Sequence, residues 1–333
     1  MNRKNLLFLA TGLLVLVVAG MLITLPPVVK KAKLIEIPEK ANGQEIAAIL
    51  KYEGIIRRGS WFLFLTNRMR VQDKLQAGVY EFQGRISLRR VIEKLVKGQV
   101  AMLKITIPEG ATIRDIGRIL EGRNIVSARE FVVYADKKHL EGFLYPETYF
   151  FPLNVSMETV ANTALSMFEK RFAMLYGKPV TMENNDEVKK IVTIASIIEK
   201  EAEADAERSI IASVIANRLK RRMPLQSCST VEYALGRHKA RLRESDLRTR
   251  SPYNTYLHYG LPPGPICSPG KASLVGALAP AKTDYLFFVT KGDGTHYFSR
   301  THAEHLRARQ LFLDAGTQPD TSSPALPAGQ AME

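Results

Sequence analysis

Across its 333 residues the chain carries 47 Lys and Arg against 33 Asp and Glu, a formal net charge of +14, and 46% of its residues are hydrophobic. That length accommodates two domains with cores of their own, and the balance of apolar and charged residues excludes global disorder. The positive excess suits an anionic partner such as nucleic acid, a membrane surface or an acidic cell-envelope polymer, whereas two cysteines are too few for a disulfide framework and form no C-x-x-C metal motif.

After Arg3 and Lys4, the stretch from Leu6 to Leu25 contains no charged residue and is about as long as a helix that crosses a bilayer. A cleaved signal peptide has a shorter apolar core ending in small residues, but here Met21, Leu22 and Ile23 run into Pro26 and Pro27. The expected arrangement is a cytoplasmic tail at 1–5, a single transmembrane anchor at 6–25 in the inner (cytoplasmic) membrane, and the rest of the chain in the periplasm. That placement removes nucleic acid from the expected partners.

Residues 28–100 read as a small basic α/β region, with a short strand at Val79 to Phe82 and a helix carrying Leu88, Val91, Ile92 and Leu95 on one face. Shifted by 70 positions, the chain matches itself. Ile37, Pro38 and Glu39 meet Ile107, Pro108 and Glu109, and Ile46, Ile49, Leu50 and Ile55 meet Ile116, Ile119, Leu120 and Ile125. Each copy reads as a strand followed by an amphipathic helix, so the segments 28–100 and 101–150 are expected to be two related modules. Such modules resemble LysM-type glycan-binding domains.

A helix is expected from Ser127 to Leu140, followed by the aromatic run Glu141-Gly-Phe-Leu-Tyr-Pro-Glu-Thr-Tyr-Phe-Phe-Pro152, which its prolines restrict to a loop or edge strand lining a groove. From 151 to 315 a mixed α+β domain is expected. It begins with a helix at Met157 to Met174 and continues with one capped by the Glu183–Asp186 turn. That second helix carries the uncharged run Ile191 to Ile198 into acids at alternate positions: Glu199, Glu201, Glu203, Asp205 and Glu207. Apolar cover beside carboxyl groups favours a glutamic acid that keeps its proton near neutral pH. Spacing alone leaves Glu199 and Glu201 equally placed, while Glu203 and Glu207 look like solvated or helix-stabilising acids.

A further helix is expected at Ala206 to Arg221. Beyond Pro224 come loops rich in Arg, Pro and Gly, then a hairpin of Tyr285–Thr290 and Thr295–Ser299 across Lys291-Gly-Asp-Gly294, and a closing helix from Thr301 to Asp314. The tail at 316–333, rich in Pro, Ser, Thr and Ala, is expected to be disordered.

Six short motifs now stand in order: Ala195-Ser-Ile-Ile-Glu-Lys-Glu201, Asn217-Arg-Leu219, Leu225-Gln226, Tyr253-Asn-Thr-Tyr256, Gly260-Leu-Pro-Pro-Gly264 and Pro280-Ala-Lys-Thr283. Together they resemble the membrane-anchored endolytic murein transglycosylases of the YceG-like family, specifically over about residues 100–312 and more loosely from 35 to 100. The resemblance implies cleavage of peptidoglycan glycan strands between N-acetylmuramic acid and N-acetylglucosamine, leaving a 1,6-anhydro end. It places the catalytic glutamate at Glu201, which spacing did not select. Glycan synthases of the same membrane, the penicillin-binding proteins, are implied as partners, because a strand cutter beside a synthase would set strand length. No cofactor is expected. The principal rival is a non-catalytic envelope protein that binds glycan strands.

Gln226, Tyr253, Asn254 and Tyr256 are expected substrate-binding residues, since amides pair with sugar hydroxyls and aromatic rings stack on sugar faces. Glu147 is the candidate supporting acid. His296 and His305 match family positions, but as histidines without an evident carboxylate partner they are assigned no catalytic role. Cys228 and Ser229 stand where a familiar form of the family has Asp-Pro. Cys228 and Cys267 are expected either to pair and staple two site loops in an oxidising periplasm or to be two buried thiols.

Overall fold

The computed structural model describes residues 26–181, 185–239 and 242–314 as an α+β protein of two compact units. The tail at 1–5, the expected anchor at 6–25 and the tail at 316–333 lie outside the described residues. Among the described residues no helix is long and apolar enough to cross a membrane.

The self-match at 70 positions governs the first half of the chain. Strand β1 (Val28–Ile37) leads to α1 (Gly43–Tyr52) and α2 (Gly59–Met69), and β2 (Gly78–Arg85) returns antiparallel to β1, with Ile35 opposite Tyr80. Helix α3 (Leu88–Val96) follows. The order then repeats as β3 (Met102–Thr106), α4 (Ile113–Glu121), α5 (Ala128–Lys137) and β4 (Thr148–Pro152), with β3 paired to β4, before α6 (Met157–Tyr176).

Local chemistry repeats with it. Asn42 and Glu45 form a capping box on α1, and Thr112 and Asp115 form one on α4 at the same offset, each satisfying backbone N–H groups that a helix start leaves without partners. Both helices end alike, as Ile55 N donates to Leu50 O and Ile125 N to Leu120 O, across residues with positive φ at Gly54 and Asn124.

The first unit takes the described residues up to Lys104 together with 150–155, and the second takes 105–149 with everything from Ser156 onward. Residues 105–149, with α4 and α5, group by contact with the downstream helices, which makes most of the expected second module at 101–150 a segment of the second unit. In the first unit Ile35, Ile37, Ile46, Leu50, Phe62, Tyr80, Phe82, Ile92 and Leu95 make the core. In the second, Phe143 and Phe168 on one side meet Val188, Val192, Ala195, Ile198, Ile211 and Leu274.

The second unit continues with α7 (Asp186–Glu201), α8 (Arg208–Lys220), α9 (Cys228–Leu235) and the short α10 (Glu244–Leu247). It ends with α11 (Lys271–Leu278), the hairpin β5 (Phe287–Thr290) and β6 (His296–Ser299), and α12 (His302–Asp314). Asn185 caps α7 by accepting Val188 N. The aromatic run that ends in β4 is mostly core rather than an open platform. Phe143, Tyr145, Tyr149 and Phe151 are buried, and Phe150 alone of these rings is exposed. In a strand alternate residues face opposite sides, which separates Tyr149 and Phe151 from Phe150.

Leu50 is fully buried in the first unit, so Leu50→Ala is expected to destabilise that unit by about 2–5 kcal/mol through lost contacts and the cavity left behind. Denaturant unfolding followed by the fluorescence of Trp61, the chain's one tryptophan, measures it in the unit concerned.

Candidate active site

Helix α7 decides which acid is available. Glu199 is almost wholly covered: its Oε2 accepts Gly270 N at 2.9 Å and Ser273 Oγ at 2.7 Å, at the start of α11, and pairs with the Arg208 guanidinium at 3.4 Å. Arg208 is itself buried and also donates to Ser273 Oγ and to Asp205 at 2.9 Å. Glu109 lies close by, its carboxyl raised above the usual range by burial and then by Glu199. A side chain at position 270 would collide with it, as a Cβ there would come within 2.1 Å of Glu109 Oε1. Glu199 thus joins three segments of the fold.

Glu201, the last residue of α7, takes the other direction. Its Oε1 accepts Ser227 Oγ at 2.6 Å and Ser229 Oγ at 2.9 Å, and the two hydroxyls are 2.7 Å apart. The carboxylate enters a recess with apolar walls from Ile197, Val214, Ile215, Leu225 and Phe288, and it is the one carboxylate among the described residues that line this recess.

Polar groups complete the recess through Arg218, Gln226, Ser227 and Cys228. Arg218 is buried and donates to Leu286 O at 2.6 Å and Leu225 O at 2.8 Å, clamping the segment after α8. Burial brings its guanidinium down to about 10, against the opposing pull of Tyr256 and Glu201. Gln226, an expected binding residue, lines the recess and holds a left-handed backbone, φ 46°, an unusual conformation for a residue with a side chain.

Ser227 was not singled out in the sequence, and Ser229 only as a departure from the family's Asp-Pro pair, not as a partner of Glu201. Ser227 sits at the N-cap of α9, a position where serine ordinarily caps the helix, yet it makes no side-chain cap bond and gives its hydroxyl to Glu201 instead. The Ser-Cys-Ser sequence after the Leu-Gln motif was the available signal.

The Tyr253–Tyr256 loop supports this segment from behind and does not itself line the recess. Gln226 N donates to Thr255 O at 3.1 Å and Ser227 N to Thr255 Oγ1 at 3.0 Å. Asn254 is fully buried. Its amide donates to Leu247 O and Thr249 O, and its oxygen accepts Tyr256 N, each at 2.9 Å, so it folds the loop rather than offering an amide to sugar. Tyr256 is likewise buried, with its hydroxyl 3.2 Å from Cys228 Sγ. Tyr253 remains half-buried, its ring 4.7 Å from that of Tyr233.

Neither cysteine is in a disulfide and both are buried, so the expected alternative of a staple gives way to two thiols with separate partners: Cys228 with Tyr256 and Cys267 with Ser196 O at 3.3 Å. Burial pushes the Cys267 thiol well up. The Leu-Pro-Pro-Gly loop docks on α7 instead, where Ile266 N donates to Ser196 Oγ at 3.0 Å.

Glu147 is not among the residues lining the recess. It lies 3.5 Å from Arg171 on α6, and its backbone oxygen accepts Ile107 N at 3.0 Å. The histidine reading also changes. His296 has a carboxylate partner after all: Glu207 accepts both its backbone N–H and, at 2.8 Å, pairs with its Nδ1. Glu207 is therefore an inward acid that ties α8 to β6. His305 is buried beside Phe287, and burial, with Arg309 and Arg218 nearby, lowers it to about 4.

A second buried acid was missed. Glu141, which opens the aromatic run, accepts Ile113 N at 3.2 Å and the Tyr233 hydroxyl at 3.0 Å, and burial pushes its carboxyl up to about 7. Tyr233 lies one helical turn beyond Ser229 on α9, so one face of that helix meets both acids.

Glu199→Ala leaves the Arg208 guanidinium buried with only the exposed Asp205, and is expected to cost about 3 kcal/mol of stability, the lower end for a broken buried pair, in a denaturant titration. Glu201→Gln is expected to leave that titration nearly unchanged. For Glu141, the folded chain holds a proton that the unfolded chain releases above its ordinary value of 4.5. Its contribution is full below that pH and is lost as pH rises to about 7, amounting to roughly 3 kcal/mol at about 1.4 kcal/mol per pKa unit. Thermal melts across this window are expected to show a smaller loss with rising pH in Glu141→Gln than in the natural chain.

The chain matches known proteins over most of its length. The YceG-like family model matches residues 35–311. The chain is 34% identical over 321 residues to the endolytic murein transglycosylase of Bacillus subtilis, covering 87% of this chain and 88% of that protein. With the protein of the same description from Streptococcus pneumoniae R6 it shares 30% over 321 residues, 84% of this chain and 58% of the other. A crystal structure of a yceG-like protein from Listeria monocytogenes superposes with a TM-score of 0.55 at 34% identity, covering 84% of this chain and 99% of that one.

Proposed function

The chain belongs to the YceG-like family, and on that premise we propose that it is an endolytic lytic transglycosylase of peptidoglycan with Glu201 as its proton-transferring group. The observation that carries this reading is the Glu201 carboxylate at the end of α7, held by two serine hydroxyls in a recess whose described lining offers no other acid. Hydrolytic glycosidases use two carboxyl groups because a water or a covalent intermediate has to be managed. A muramic acid residue carries its own nucleophile, the 6-hydroxyl, so one acid suffices.

In the proposed reaction protonated Glu201 gives its proton to the glycosidic oxygen as the bond from C1 of the muramic acid breaks. The resulting carboxylate then takes the proton of the 6-hydroxyl as that oxygen bonds to C1. The products are a strand ending in 1,6-anhydromuramic acid and a strand with a new N-acetylglucosamine hydroxyl, with no water consumed. Attachment of the nucleophile to the reacting sugar removes the entropy cost of bringing it there. Gln226 lies beside Glu201 and is suited to an acetamido or hydroxyl group, and Tyr253 remains a candidate sugar contact.

Residues 6–25 would anchor the chain in the inner membrane with both units in the periplasm, as their uncharged composition suggests. There the enzyme would meet nascent strands beside penicillin-binding proteins and terminate their growth. The repeated strand–helix modules would serve as LysM-like contacts to glycan.

Mass spectrometry of peptidoglycan digested by the natural chain is expected to show anhydro ends, with a loss of about 10²–10⁴-fold in Glu201→Gln, the usual contribution of general acid–base catalysis. Reducing-end muramic products would instead identify a hydrolase, and glycan binding without any cleavage a purely adhesive protein.

A further inference from the structure

In the first unit α2 packs Phe62 and Thr66 inward but turns Trp61 and Phe64 out, 54% and 61% exposed. Three residues apart on a helix, they share a face, and their rings meet edge to face at 5.8 Å. Tyr52, at the end of α1, is 90% exposed. Beside the pair lies a recess lined by Lys51, Arg57, Arg58, Ser60 and Leu63, and Ser60 also borders the hollow formed by Trp61 and Phe64. From 51 to 70 the cations are Lys51, Arg57, Arg58, Arg68 and Arg70, and the one acid is Glu53, already paired with Lys33 at 3.2 Å. Exposed aromatic rings next to clustered Lys and Arg are the composition that seats a helix in the headgroup layer of an anionic bilayer.

Position in the chain points the same way. Strand β1 starts at Val28, three residues after the uncharged stretch ends at Leu25, a tether of roughly 10 Å when extended. We propose that the Trp61–Phe64 face of α2 and the adjoining recess of Lys51, Arg57 and Arg58 form a docking surface for anionic phospholipid, with the rings in the interfacial layer and the cations on phosphate headgroups. The proposal rests on the reading of residues 6–25 as an anchor for its geometry, since the tether keeps this unit beside the surface. A glycan strand fits the same face poorly: the two rings stand at 83° to one another, so a sugar chain lying flat on one ring meets the edge of the other.

Trp61 is the chain's single tryptophan and therefore reports on this face alone. The full chain is mixed with vesicles of phosphatidylcholine, with and without phosphatidylglycerol, carrying bromine on the acyl chains. Flotation with phosphatidylcholine vesicles tests the anchor, and its absence overturns that reading independently of docking. Docking is read from Trp61 emission, expected to be quenched several-fold more with phosphatidylglycerol present and to recover in high salt or in the Arg57→Glu/Arg58→Glu variant. Emission that bromine leaves unchanged in anionic vesicles, or that shifts only when soluble glycan strands are added, overturns the proposal.

Discussion

The buried pair of Glu199 with Arg208 is the constraint on which the catalytic unit depends. Through one carboxylate it joins the end of α7, the start of α8 and the backbone N–H at the start of α11. An α-helix turns about 100° per residue, so two positions on the chain face directions about 200° apart. With Glu199 committed inward to Arg208 and Ser273, Glu201 has to project from the opposite side. That is the side on which α8 and the segment Leu225 to Cys228 leave a recess. The alternation of acids thus commits one carboxylate to the fold and turns the next into the recess.

The same division explains what the sequence could and could not reveal. The repeat was legible because its signals are local: Asn42 with Glu45 and Thr112 with Asp115 are capping pairs three residues apart, and the apolar positions of α1 and α4 follow helical spacing. Helices α2 and α5 extend that repeat into a strand–helix–helix–strand unit. Helix α5 falls within the helix expected from Ser127 to Leu140, whereas α2 was not expected, because it carries large apolar residues on its exposed face and blurs its own periodicity. The unit boundary was not legible at all, since whether residues 105–149 group with earlier or later helices depends on contacts far apart in sequence.

At the site, Glu201 came from family resemblance, and its two serines came only from the structure. Ser227 and Ser229 lie 26 and 28 positions from Glu201, and no local pattern marks that meeting. His296 and Glu207, separated by 89 positions, hid their pairing in the same way. Asn254 and Tyr256 show the converse, as expected sugar contacts that the fold buries. The hydrogen-bonding capacity that suits an amide to a sugar suits it equally to backbone carbonyls, and burial decides in favour of Leu247 and Thr249.

The serine pair also bears on how a single carboxyl can act first as acid and then as base. Both hydroxyls meet Oε1, so in the proposed reaction the other oxygen is the one suited to carry the proton to the glycosidic bond. A serine hydroxyl has one proton and can rotate, so as Glu201 changes charge either both serines donate to Oε1 or one turns its proton to the other and the second alone donates to the carboxyl. A lysine or arginine in their place would favour the carboxylate throughout and oppose the first step. The serines are neutral, rotatable donors that hold the carboxyl in place without adding a charge beside the Arg218 guanidinium, which is itself committed to Leu286 O and Leu225 O.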